Sequence, residues 1–96
     1  MNVKVQYLGQ VRVIANRKEE ELEISPNAIV QELLQKLSGM YGKAFDMEVF
    51  EEDGENLRDD LTVAVNGTAI RQLDYLNTRL KQNDTITLFP IFPGGG

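Results

Sequence analysis

The segment VQELLQKLSGMY, residues 30–41, decides the fold class of this chain of 96 residues. Its apolar side chains recur three or four positions apart: Val30, Leu33, Leu34, Leu37 and Tyr41. Side chains with this spacing share one face of a helix, and polar residues occupy the opposite face. The segment therefore predicts one amphipathic helix that packs against a hydrophobic core.

Both ends of this helix carry residues that favour its start or its end. Before it there are two alternative N-caps, either Ser25 followed by Pro26 in the first turn, or Asn27. After it, Gly39 and Gly42 can adopt the left-handed backbone of a helix end. The predicted boundaries therefore lie close to the apolar stripe.

Two strands are predicted before the helix. Residues 2 to about 8 alternate, with Val3, Val5 and Tyr7 on one face, which is typical of a strand with one buried side. After residues 11–14, a turn at residues 15–18 leads to a second alternation around Leu22 and Ile24. The two strands are expected to form a hairpin.

The segment that follows the helix is strongly acidic. Against the single base Arg58, residues 46–60 contain eight acids: Asp46, Glu48, Glu51, Glu52, Asp53, Glu55, Asp59 and Asp60. Such a run could attract a basic partner and raise association rates. We expect instead a solvated excursion from the domain.

The last third of the chain predicts two more strands. Leu61, Val63 and Val65 alternate into a strand that ends at Asn66-Gly67, a dipeptide suited to a turn with positive φ at both central residues. A short helical turn is predicted around residues 73–76. Residues 85–88 then form the final strand.

The order of these elements predicts an α+β fold. One main helix would pack across a mixed sheet of four to five strands. The first and last strands are too far apart in sequence for a hairpin, so we expect them to pair in parallel at the sheet centre. This arrangement is the ubiquitin-like β-grasp, with the domain at residues 1–90 and a flexible C-terminal tail at residues 91–96.

The composition excludes several classes of protein. The chain has no His and no Cys, the residues that supply most zinc ligands, proton shuttles and thiol nucleophiles. Its net charge of -5 disfavours binding to nucleic acid and to anionic membranes. No apolar stretch approaches the roughly 20 residues of a membrane span, and no signal-peptide pattern is present. We expect a cytoplasmic protein that binds no metal and no cofactor.

Five motifs are spread along the whole chain: Tyr7-Leu8-Gly9-Gln10-Val11-Arg12, Val30-x-x-Leu33-Leu34-x-x-Leu37, Val65-Asn66-Gly67-Thr68, Leu80-Lys81-Gln82-Asn83-Asp84, and Phe89-Pro90 leading to Gly95-Gly96. In their order and placement they resemble the MoaD/ThiS family of ubiquitin-like sulfur carriers. Thiamine-type carriers are typically shorter and lack an acidic middle segment. The chain therefore looks more similar to the small subunit of molybdopterin synthase.

The resemblance implies a reaction at the C-terminus. In the family, an E1-like adenylating enzyme uses ATP to adenylate the terminal glycine, and sulfur from a donor protein then converts it to a thiocarboxylate. This assigns the reactive carboxylate to Gly96, with Gly94 and Gly95 in the narrow tail. The family usually has a small residue before two glycines, whereas Pro93 precedes three here, so Gly95 after trimming is the alternative.

The resemblance also implies partner proteins. The carrier would dock on the large subunit of molybdopterin synthase and donate sulfur to a pterin precursor, so it would not be an enzyme alone. The candidate partner-binding residues are Phe89, which alternation places opposite the core, Pro90, and Phe92 beyond the sheet. The alternative for Phe89 is a bulge at Pro90 that turns it inward.

Three other functions stay open. The same terminal glycine could be conjugated to lysine amines, which would make the chain a protein modifier. It could also carry sulfur in a thiamine, tRNA or cysteine pathway. Finally, the chain could be a passive binding module whose glycines are incidental.

Overall fold

The computed structural model describes residues 1–91, and residues 92–96 lie outside the described part of the chain. The strands are β1 (Asn2–Tyr7), β2 (Glu19–Glu23), β3 (Leu61–Val65), β4 (Thr68–Ala69) and β5 (Thr85–Pro90). The helices are α1 (Gln10–Ala15), α2 (Val30–Tyr41) and α3 (Lys43–Val49), and two short 3-10 turns cover Ile70–Gln72 and Tyr75–Asn77.

The strands form one mixed sheet in the order β2-β1-β5-β3-β4. The first and last strands pair in parallel at its centre, where Val5 lies opposite Ile86 and Tyr7 opposite Leu88. The β1–β2, β3–β4 and β3–β5 pairs are antiparallel. The α+β class, the central parallel pair and the β-grasp arrangement predicted from the sequence are therefore confirmed.

The core lies between α2 and one face of the sheet. The helix buries Val30, Leu33, Leu34 and Leu37 completely. The facing strands contribute alternate residues, as the period-two pattern predicted: Val3, Val5, Tyr7, Leu61, Val63, Ile86 and Leu88. Each buried aliphatic side chain of this kind contributes about 2 kcal/mol relative to exposure, so the α2 stripe is a major stabilising term.

The start of α2 differs from both predicted caps. The N-cap is Ile29, which has an extended backbone. The N–H of Ile29 donates a hydrogen bond to the side chain of Glu32 at 3.3 Å. Asn27 instead occupies a left-handed turn before the helix, with φ of 66°. At the other end Gly42 stops the helix as predicted, with φ of 75°, while Gly39 lies inside it.

The connection between β1 and β2 is a helix rather than the predicted turn alone. The two strands do pair as a hairpin, but α1 occupies residues 10–15 between them. Val11 and Ala15 are spaced one helical turn apart and are both buried, so packing against the core favours the helix. The left-handed residue Asn16, with φ of 58°, ends it.

The acidic segment is only partly the predicted solvated excursion. Its first residues belong to α3, which buries Phe45 and Val49 completely. Phe50 and Leu57 are also buried and form an isolated antiparallel bridge that closes the loop between them. Apolar residues set among the acids therefore attach this segment to the core.

The remaining turns largely follow the sequence. Asn66 and Gly67 both have positive φ, 51° and 88°, and connect β3 to the short strand β4. The predicted helical turn at residues 73–76 is replaced by the two 3-10 turns on either side of Leu73 and Asp74. Within residues 1–91, no helix has the length and apolar character needed to cross a bilayer.

Candidate functional site

Strand β5 carries the chain from the sheet centre to the tail. Ile86 and Leu88 face the core and are completely buried. Phe89 alternates to the opposite face, where it is half-buried and pairs across the strands with Thr62. Ile91, the last described residue, is 44% exposed. Apolar side chains therefore reach the solvent where the tail begins.

Leu8 extends this apolar surface from the end of β1. Its backbone N–H donates to the carbonyl of Leu88 at 3.0 Å, which places Leu8 beside Phe89 in the parallel ladder. Because Tyr7 faces the core, alternation directs Leu8 to the outer face, and its side chain is 49% exposed. We call Leu8, Phe89, Pro90 and Ile91 the exit patch.

Pro90 packs directly on the backbone of Gly9. A β-carbon added to Gly9 would lie 2.7 Å from Cγ and 2.9 Å from Cδ of the Pro90 ring. Gly9 also has φ of 65° and ψ of -140°, a backbone region that is essentially restricted to glycine. The glycine thus permits a close approach between the start of α1 and the root of the tail.

The loop before β3 holds the tail root from the other side. The N–H of Ile91 donates to the carbonyl of Asp60 at 2.8 Å. The Asp60 carboxylate accepts two hydrogen bonds from Arg58, at 3.0 and 3.1 Å, and this pairing lowers its pKa. The guanidinium of Arg71 donates to the carbonyls of Leu61 and Arg58, at 2.9 and 3.2 Å, and so fixes the same turn.

The acidic loop beside this turn has an ordered backbone. The Asp53 carboxylate accepts hydrogen bonds from the N–H groups of Glu55 and Asn56, at 2.8 and 3.0 Å, which lower the pKa of Asp53. The N–H of Leu57 donates to the hydroxyl of Tyr75 at 2.7 Å. The acidic side chains of this loop are exposed: Glu51, Glu52, Asp53, Glu55 and Asp59. The loop leads through Asp59 to Asp60, whose carbonyl binds Ile91, so its acidic end lies close to the tail root in space although it is distant along the chain.

The carboxylate of Glu20 forms a hydrogen-bond network on the core-facing side of β1. The hydroxyls of Tyr7 and Tyr41 both donate to Oε2 of Glu20, the first at 2.6 Å, and Arg17 pairs with its Oε1 at 3.2 Å. Burial of Tyr7, and secondly its hydrogen bond to Glu20, raise the pKa of the phenol. This network joins β1, β2 and α2 immediately before Leu8.

The structure covers only part of the predicted site. Phe89 lies opposite the core as expected, and Pro90 is the final residue of β5. Phe92 and the three glycines, Gly94, Gly95 and Gly96, lie outside the described residues. Within residues 1–91, no group of three or more acidic side chains is arranged to hold a metal ion.

Sequence reasoning missed the contacts that hold the tail root. Gly9 and Asp60 are far from Pro90 and Ile91 along the chain, and nothing local marks them as neighbours. Leu8 could have been found, because continued alternation after Tyr7 directs it outward. The sequence therefore allows the outward side chains of the exit patch to be predicted, but not the contacts of Gly9 with Pro90 and of Asp60 with Ile91.

The comparison by sequence identifies one family. Residues 5–95 match the model of the ThiS family. A protein of Archaeoglobus fulgidus, named as a candidate sulfur carrier, is 30% identical over 87 residues, which cover 90% of this chain and 97% of that protein. Both matches extend over nearly the whole chain.

The comparison by structure gives the same fold. The small archaeal modifier protein 1 of Methanosarcina acetivorans is 28% identical with a TM-score of 0.81, covering 98% of this chain and 96% of that one. A candidate subunit 1 of molybdopterin converting factor from Pyrococcus furiosus is 28% identical with a TM-score of 0.74, covering 96% and 99%. These likenesses confirm the ubiquitin-like β-grasp.

Proposed function

Since this chain belongs to the ThiS family, we propose that it is a sulfur carrier whose C-terminal glycine carboxylate is the reactive group. The observation that carries the proposal is the extent of the match, residues 5–95, which includes Gly94 and Gly95 and so extends into the glycine tail. The exit patch supports it, because exposed apolar side chains surround the start of that tail. The chain itself acts as a small ubiquitin-like protein on which partner enzymes operate.

The proposed chemistry begins with activation of Gly96. A carboxylate oxygen attacks the α-phosphorus of ATP and displaces pyrophosphate, which gives an acyl-adenylate. The terminal sulfur of a persulfide on a sulfur-donor protein then attacks the carbonyl carbon, and AMP leaves with the bonding electron pair. A thiol next attacks the donor's sulfur in the resulting acyl disulfide and forms a disulfide with the donor, so that the outer sulfur leaves on the glycine with the electron pair of the broken sulfur–sulfur bond. The product is a glycine thiocarboxylate. The carrier needs no His, Cys or metal for these steps, because the E1-like adenylating enzyme supplies the catalytic groups.

The proposed acceptor is a pterin precursor. In this role the chain would be the small subunit of a molybdopterin synthase and would insert its tail into the large subunit. The likeness to a candidate molybdopterin converting factor subunit supports this role. Sulfur carriers for thiamine, tRNA or cysteine pathways would use the same tail with a different partner.

A second function, protein modification, is favoured by the likeness to a small archaeal modifier protein. In that reaction a lysine amine attacks the carbonyl carbon of the acyl-adenylate, AMP leaves with the electron pair of the broken carbon–oxygen bond, the amine loses a proton, and an isopeptide bond forms. The two functions share the adenylation step and differ in the nucleophile that follows. Both would use the exit patch for docking, with Phe89 and Leu8 as its apolar centre.

Intact mass spectrometry tests the proposed chemistry. The chain is incubated with a cognate adenylating enzyme, ATP and a sulfur source, and we expect sulfur to replace one oxygen at the last residue. A variant lacking Gly95 and Gly96 is the control and should gain no sulfur. An unchanged mass of the full chain, with an enzyme that activates its own carrier, would contradict the proposal.

Conjugation is tested in cell extracts. Trypsin cuts after Lys81, so an acceptor lysine modified by this chain would retain a remnant from Gln82 to the C-terminus. Finding that remnant on other proteins would establish the modifier function. Its absence, together with thiocarboxylate formation, would leave sulfur transfer as the single role.

A further inference from the structure

We propose that Gly9 is a positioning residue, which fixes the direction in which the C-terminal tail leaves the domain through its contact with Pro90. The inference rests on the proposed function, because that direction matters when the terminal carboxylate must reach a partner's active site. Gly9 acts through its contact with the ring of Pro90.

Three contacts hold Leu88, Pro90 and Ile91 at the tail root. The carbonyl of Leu88 accepts from the N–H of Leu8 at 3.0 Å, and the carbonyl of Asp60 accepts from the N–H of Ile91 at 2.8 Å. Between them, the Pro90 ring rests on Gly9. Proline also restricts its own φ to about -65°. The backbone is therefore held from β1 on one side and from the turn before β3 on the other.

Only glycine fits the position beneath the Pro90 ring. A β-carbon would lie 2.7 and 2.9 Å from two ring carbons, whereas carbon atoms in contact are about 3.5–4.0 Å apart. The backbone of Gly9 cannot easily move, because its carbonyl accepts from the N–H groups of Arg12 and Val13 at the start of α1, at 3.1 and 3.4 Å. The ring is therefore the group that yields, by about 1 Å.

A shift of the Pro90 ring would change the direction in which the chain continues after Pro90. Misplacement of a reacting group by about 1 Å can lower a rate by up to about 100-fold. The exit patch remains on the surface when the ring shifts, so docking should be retained while alignment of the carboxylate suffers. We therefore expect replacement of Gly9 to lower kcat and to leave KM nearly unchanged.

The experiment compares Gly9→Ala with Gly54→Ala. Gly54 has φ of 73°, close to the 65° of Gly9, but nothing lies within 4 Å of the position that a β-carbon would take there. Both variants therefore carry the strain of a side chain at positive φ, and only Gly9→Ala also collides with Pro90. ATP–pyrophosphate exchange by the cognate adenylating enzyme is measured with the carrier as the varied substrate. We expect kcat to fall about tenfold or more in Gly9→Ala, with KM within about threefold of the unmodified chain, and no change in Gly54→Ala.

Hydrogen exchange gives a second readout that needs no enzyme. The Ile91 amide is bonded to Asp60, and we expect its protection to fall about tenfold in Gly9→Ala, which would match a change of about 1.4 kcal/mol. Protection at Ile91 should persist in Gly54→Ala. Should Gly9→Ala fail to fold, Pro90→Ala removes the other half of the contact and should show the same loss of Ile91 protection, a readout that does not depend on docking.

The double variant Gly9→Ala with Pro90→Ala completes the test. Because both changes disrupt one contact, kcat of the double variant should be no lower than that of the worse single variant. A folded Gly9→Ala that keeps the kcat of the unmodified chain overturns the positioning role alone. An unmodified chain that the cognate enzyme does not activate overturns the proposed function instead.

Discussion

Replacing Glu20 with alanine should destabilise the domain far more than replacing its exposed neighbour Glu19. The Glu20 side chain is only 8% exposed and accepts hydrogen bonds from Tyr7 and Tyr41 on one oxygen, with Arg17 on the other. Tyr7 is 1% exposed, so water cannot replace the lost acceptor without opening the core.

The expected loss in the free energy of unfolding comes from the hydroxyls of Tyr7 and Tyr41, which lose their common acceptor. A buried donor left without a partner costs about 1–3 kcal/mol, and bonds to a charged acceptor are at the high end, so Tyr7 accounts for about 2–3 kcal/mol. Tyr41 is half-buried and can bond to water, so it adds about 1 kcal/mol. The total of about 3–4 kcal/mol is a large share of the 5–15 kcal/mol typical of a domain.

Urea denaturation provides the assay. With an m-value of about 1–1.5 kcal/mol/M, the midpoint of Glu20→Ala should fall by roughly 2–4 M. Glu20→Gln keeps an acceptor and loses only its charge, so it should cost about 1 kcal/mol. Glu19→Ala is the surface control and should change the free energy of unfolding by less than about 0.5 kcal/mol. A Glu20→Ala midpoint equal to that of Glu19→Ala would refute the reasoning.

Three further outcomes are expected. Burial raises the pKa of Tyr7 in the folded state, so the folded protein retains that proton as the pH rises above about 10. Tyr7 alone should then lower the free energy of unfolding by about 1.4 kcal/mol per pH unit in urea melts, and this part of the slope should be absent in Tyr7→Phe. Phe89→Ala should weaken binding to the adenylating enzyme by about 1–3 kcal/mol in calorimetry. Thr85→Ala, on the same face at the far end of β5, is the control and should leave binding unchanged. Equal effects of the two substitutions would contradict docking through the exit patch. Phe45 is completely buried between Tyr41 and Phe50. Phe45→Ala should therefore lower the free energy of unfolding by about 3–5 kcal/mol, measured by thermal unfolding. A decrease below about 1 kcal/mol would contradict that packing.

The elements that the sequence predicted well are those with regular periodicity. The stripe of α2 and the alternate residues of β1 and β5 are buried as their spacing requires, because secondary-structure geometry alone decides which side chains share a face. In β3 the predicted residues Leu61, Val63 and Val65 are buried, but Thr62 and Ala64 between them are buried too. The turn at Asn66-Gly67 was equally readable, since its chemistry is local.

The elements that the sequence did not reveal depend on packing. The six residues of α1 are too few to form a stable helix alone, and contacts with β1, β5 and α3 stabilise them. Glu20 stands in a run of acids with no local mark of burial, although it shares a strand face with Leu22 and is therefore directed toward Tyr7 and Tyr41. Phe45 and Val49 were overlooked because the charges around them dominate the segment.

The family and the sheet-and-helix architecture could be recognised from the sequence, because periodicity, turn chemistry and motif order are properties of neighbouring residues. The side chains that lie beside Ile91 and the contacts that hold the tail root became visible only in the folded chain. Gly9 meets Pro90 and Asp60 meets Ile91 only after the first strand has paired with the last and the third has joined them. Such contacts join residues distant along the chain, and the register of the assembled sheet, rather than any local pattern, brings them together.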